Sequence, residues 1–97
     1  MNPTTQFPQI VVKIIKEQEL IIGPLAWGEA RKVQGLKIIS EEKGEINFEY
    51  GDPKNVIDKL VAQYERIFGL ASREVCKEAA ASLVANLPPA EVPSSLK

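Results

Sequence analysis

A single thiol, Cys76, and the absence of any histidine bound the covalent chemistry open to this chain. A Ser–His–Asp or Cys–His arrangement needs an imidazole to accept the nucleophile's proton, and the common zinc sites need several Cys or His ligands. Neither can be assembled from one copy. Cys76 falls on an apolar helical stripe, where a cysteine serves as a small core residue rather than an activated thiolate.

The glycines of GPLAWGEA, Gly23 and Gly28 with the intervening segment, invite comparison with a phosphate loop. Such a loop requires Lys followed by Ser or Thr, and here Glu29 would repel an anion. GLAS, residues 69–72, lacks the second glycine of a nucleophile elbow. The turn SEEKGE gathers Glu41, Glu42 and Glu45, whose oxygens would suit a hard cation, but carboxylates at a hairpin tip are equally well satisfied by water. Asp52 reads as a helix cap. No catalytic residue, cofactor site or metal site is assigned, and the chain is read as non-enzymatic.

Twelve Lys and Arg against thirteen Asp and Glu leave a formal charge of −1, too little to concentrate the chain on a phosphate backbone. Lys13, Lys16, Arg31, Lys32 and Lys37 are interleaved with Glu17, Glu19 and Glu29, so nucleic acid is not the expected partner. One cysteine forms no internal disulfide, and the N-terminal residues lack the pattern of a signal peptide. A reducing cytoplasm is the expected setting. The apolar runs are a few residues long, against the roughly 20 needed to span a bilayer.

Ninety-seven residues, 44% hydrophobic and 26% charged, fit one globular domain. Residues 1–87 are expected to form it, with 88–97 (PPAEVPSSLK) as a Pro-rich flexible tail. In PQIVVKIIKEQELII, Ile10, Val11, Ile14, Ile15, Ile21 and Ile22 trace an amphipathic helix, with Thr4 or Thr5 as cap. The β-branched residues leave a strand over 9–15 open, but KEQE makes a poor hairpin turn and a good polar helix face. Gly23 suits the position past a helix end and Pro24 the first turn of the next helix. That helix is expected to reach Gln34, with Gly28 accommodating another backbone.

Leu36 and Ile38, then Ile46, Phe48 and Tyr50, alternate with polar residues, predicting a hairpin turned by Gly44. Asp52 and Pro53 open the longest helical signal. Val56, Ile57, Leu60, Val61, Tyr64, Ile67, Phe68 and Ala71 share an arc of roughly 140°. Val75, Cys76, Ala79, Ala80, Leu83 and Leu87 centre about 100° further round. The change falls near Gly69, where either two helices meet, Ser72 capping the second, or one rod kinks.

The expected fold is α+β: two short N-terminal helices, a two-stranded antiparallel hairpin lying on the first part of the long helix, and that helix kinked or broken near Gly69. The second stripe then lacks a cover, and leaving it in water would forfeit several kcal/mol at ~25 cal/mol/Å². Either the first helices fold over it or a second copy does. The favoured reading is a small protein–protein interaction or regulatory module, homodimeric through the C-terminal helix, with Trp27, Val75, Ala79, Leu83 and Leu87 as candidate interface. The alternative is a weak nucleic-acid-binding module using the helix corner 24–34 and the hairpin 36–50 as a wing.

Overall fold

The β-branched run of residues 9–15 is helical. In the computed structural model, which describes residues 3–97, helix α1 spans Pro3–Ile22. Its buried side chains are Gln6, Phe7, Ile10, Val11, Ile14, Ile15 and Gln18, spaced by three and four as one helical face requires. A strand would have buried alternate residues instead. At 20 residues this is not the short helix expected, and Thr4 and Thr5 lie inside it rather than ahead of it as caps. Pro8 also lies inside, at the cost of one helical hydrogen bond.

Gly23, at φ +72°, ends α1 and donates its N–H to the Glu19 carbonyl at 2.9 Å. Helix α2 is only Leu25–Ala30. It stops short of Gln34 because the next N–H groups reach back three residues, Lys32 to Glu29 and Val33 to Ala30, tightening the chain out of the α-helix. Gly28 has nothing within 4 Å of where a Cβ would stand, so the backbone contact expected there is absent. The close approach occurs at Gly35, φ +87°, where a Cβ would sit 2.6 Å from the Tyr50 carbonyl oxygen.

Strands β1 (Leu36–Ser40) and β2 (Glu45–Phe48) form the hairpin, pairing Leu36 with Phe48 and Ile38 with Ile46. Ser40 pairs with Glu45, so Ile39 is an extra residue in a bulge. Gly44, at φ +66°, completes the turn. Tyr50 lies beyond the strand and is exposed rather than part of the apolar face. The hairpin packs mainly through β2 on α1, and only its base, at Gly35, lies against Val56 in the first part of the long helix.

That helix is two. Asp52 accepts the Lys54 N–H at 3.0 Å and caps α3, Pro53–Phe68. Gly69, at φ +93° and ψ 176°, reverses the chain into α4, Leu70–Val84. Ser72 does not cap α4 but is buried within its first turn. The two helices pack on each other, and α1 runs antiparallel along α4: Gln18 near its end meets Ser72, while Pro8 and Val12 near its start line one groove with Leu83 near the end of α4. Cys76, Ala79 and Ala80 lie buried in α4, their small side chains allowing α1 and α3 to come close.

Residues 88–97, expected as a flexible tail, instead form two 3₁₀ turns, Pro89–Glu91 and Ser94–Leu96. The second packs on α3 and α4 with Pro93 and Leu96 buried. Asp58 Oδ1 accepts from the Ser95 N–H (3.0 Å) and hydroxyl (2.6 Å), and Lys54 Nζ donates to the Ala90 carbonyl. Proline-rich sequence is stiff, so little entropy opposes docking once three apolar side chains, Leu87, Pro93 and Leu96, have a surface to meet. Among the described residues, no helix is long and apolar enough to cross a membrane.

The two glycines are expected to respond oppositely to alanine. Gly28→Ala, at an exposed helical position with open space around it, should stabilise the fold by about 1 kcal/mol. Gly35→Ala, combining positive φ with a carbonyl collision, should destabilise it by at least about 2 kcal/mol. Urea unfolding of both variants checks the pair of signs.

Candidate functional site

Two connections meet at one end of the molecule, and buried polar groups fasten them together. The Gln18 amide donates to the Ser72 carbonyl at 3.0 Å and to Cys76 Sγ at 3.3 Å, tying the end of α1 to the start of α4. The Trp27 indole N–H reaches Glu19 Oε2 at 3.0 Å, tying α2 back on α1. The Tyr64 hydroxyl donates to the Ala26 carbonyl at 2.7 Å, tying α3 to α2. The Gln18 and Tyr64 bonds are buried, so leaving either unpaired would cost about 1–3 kcal/mol, whereas Glu19 is exposed and its carboxylate can also be hydrated.

On this fastened end stand Leu20 and Ile21 of α1, Leu25 opening α2, Ile67 near the end of α3 and Leu70 opening α4, with exposures between 45% and 79%. Each lies within three residues of Gly23 or Gly69, the glycines that turn the two connections. Together these five aliphatic side chains expose on the order of 500 Å², shared between the two turns. Charged residues of both signs, Glu17, Glu19, Arg66 and Arg73, occupy the adjacent turns.

The interface residues inferred from sequence are not brought together as a surface. Trp27 is 2% exposed, and Ala79 and Leu87 are also buried in the chain's own core. Val75 and Leu83 are half-buried, and Leu83 packs against that core. The stripe thought to need a second copy is covered by α1. Sequence reasoning missed Leu20, Leu25 and Leu70, and placed Ile21 and Ile67 on packed stripes. The signal was present in the apolar residues crowding Gly23 and Gly69, where a turn leaves side chains outside any helix–helix contact.

Desolvation pushes the Cys76 thiol up to about 11, only partly offset by the Gln18 hydrogen bond. Burial likewise raises the Tyr64 phenol well above its ordinary range. Glu29 accepts from Gln63 Nε2 at 2.7 Å and from Lys32 Nζ at 3.0 Å, and these bonds, Gln63's first, hold its carboxyl below the usual range. Among the described residues no group of three potential metal ligands assembles. The corner 24–34 keeps few free cations, since Arg31 pairs with Glu41 on the hairpin and Lys32 with Glu29.

No family model matches the sequence, and no curated protein or solved structure shows significant similarity to it.

Two measurements probe this chemistry. Cys76 should resist a thiol-exchange reagent at mildly alkaline pH in the folded protein and react promptly in guanidinium; equal rates would contradict the buried thiol. Because the Glu29 carboxyl is lowered on folding, its stabilisation is complete above its ordinary value of 4.5 and is lost as pH falls through the lower folded value. Acid titration of Glu29→Gln should therefore show a shallower loss of stability below about 4.5 than the parent protein.

Proposed function

We propose that this chain is a small non-catalytic interaction module of the cytoplasm that self-associates through the apolar end formed by Leu20, Ile21, Leu25, Ile67 and Leu70. The observation that supports the reading is that five exposed aliphatic side chains flank the Gly23 and Gly69 turns, which the Gln18–Ser72 hydrogen bond holds at one end of the molecule. A surface whose backbone is already tied by hydrogen bonds leaves mainly side-chain rotamers to order on association, so less of its binding energy is lost to entropy. A second copy suits it because the surrounding charges are of mixed sign, and a two-fold axis can set Glu17 or Glu19 of one copy near Arg66 or Arg73 of the other. A standard interface buries about 800 Å² per partner, so the apolar end would be its centre and these charges its rim.

Self-association through this end moves the contact from the flank of α4 to the turn where α3 meets α4. The cytoplasmic setting rests on the single buried thiol.

In sedimentation equilibrium the mass should rise with concentration from the 10.7 kDa of one chain toward twice that value. Leu20→Glu and Leu70→Glu, at exposed positions, should hold the protein monomeric while leaving the unfolding midpoint as it is in the parent at dilutions where the parent is itself monomeric. Ala79→Glu should instead destabilise the monomer, because its site lies in the chain's own core. A parent protein that stays at one chain's mass up to millimolar concentration would overturn the proposal.

A further inference from the structure

A second feature, independent of the apolar end, lies between the first half of α1, the hairpin and the end of α4. It is an open groove of about 600 Å³ whose walls include Val12, Ile39, Ile46 and Leu83, with Lys13 and Lys16 on its α1 side. A mostly apolar concavity of this size with a few polar groups at one side is the usual form of a small-molecule site.

Two local irregularities shape the groove. The bulge at Ile39 inserts one residue between the Ile38–Ile46 and Ser40–Glu45 pairs. Bulges re-aim side chains, and Ile39 lines the groove while staying 55% exposed. At the hairpin turn, a Cβ on Gly44 would lie 3.1 Å from Val12 Cγ1 and 3.4 Å from Lys16 Nζ. The glycine thus lets the turn settle against α1 and brings the Lys16 ammonium to the mouth of the groove. Lys16 has no carboxylate within ion-pairing distance among the described residues, whereas Lys13 is loosely paired with Glu17 at 3.7 Å. Glu45 also borders the groove, so the two lysines outnumber the acid there.

We infer that this groove binds a free amphipathic carboxylate, a medium-chain fatty acid or a close chemical equivalent. Its aliphatic chain lies along Val12, Ile39, Ile46 and Leu83, and its head group meets Lys16 and Lys13. The apolar wall selects the tail, and the unpaired ammonium selects the sign of the head. A neutral or cationic amphiphile would lose that contact and face the lysines uncompensated.

The test uses decanoate, decyltrimethylammonium and acetate, each titrated against the isotopically labelled protein and followed through its amide resonances. Decanoate should shift Val12, Lys16, Ile39, Gly44 and Ile46 saturably, below its micelle concentration. The cationic amphiphile and acetate should bind at least about tenfold more weakly. Lys13→Gln combined with Lys16→Gln should weaken decanoate about tenfold. Ile39→Glu should abolish binding while leaving the unfolding midpoint in place, since its side chain stands largely in solvent. Decanoate shifts that appear only with micelles, equal binding of both head-group charges, or unaltered binding by Ile39→Glu would each overturn the inference. Groove shifts that follow protein concentration rather than decanoate would do so too, making the occupant a second copy. Leu70→Glu should leave decanoate binding unchanged, so this result and the self-association result stand or fall separately.

Discussion

The packing of α1 along α4 is the contact on which the rest of the structure depends. Each helix has an apolar face that water would penalise, and α4's is unusually rich in small side chains, so its partner must come close to bury it. Gln18 reinforces the pairing from inside. Its amide, buried at the seam, satisfies itself on the Ser72 carbonyl and Cys76 Sγ and so ties the two helices at one register. Cys76 is inert for the same reason, since the helix that covers it removes the water a thiolate would need.

With α1 committed to α4, the other elements have few options. The apolar face of α3 meets α4, α2, α1 and the second 3₁₀ turn, and the hairpin rests mainly on α1 through β2. This leaves the space beside Val12 and Ile39 that forms the groove. The C-terminal prolines, unable to continue α4, carry Leu96 back onto α3 and α4 and close the remaining side of the core. The apolar residues at the Gly23 and Gly69 turns lie at the helix ends and stay exposed. Their exposure is a geometric consequence of where helices stop, not of a lack of hydrophobic partners elsewhere.

Much of the candidate site was legible in composition but not in position. Trp27 reads in sequence as the residue best suited to anchor a partner, yet its indole N–H finds Glu19 eight residues earlier and the ring is absorbed into the core. Ile21 sits on the same apolar pattern as Ile14 and Ile15, but α1 ends one residue later, and nothing packs where its side chain points. Periodicity assigns a face to every residue of a helix. It does not say how far along the helix the partner extends.

By itself the sequence determined the local elements wherever a backbone rule was decisive: Asp52 and Pro53 start α3, Gly23 ends α1, Gly44 turns the hairpin, and a lack of histidine removes Ser–His–Asp and Cys–His arrangements within one chain, whereas at Gly69 it left a break and a kink equally open. These are short-range matters of φ angles, caps and titratable groups, settled within a few residues. The tertiary structure alone decided which helix covers the stripe of α4, that the prolines of 88–97 fold back, and that Ile39 and Lys16 share a groove. Each depends on chain segments dozens of residues apart competing for the same apolar surface, and periodicity along the sequence does not encode the winner of that competition.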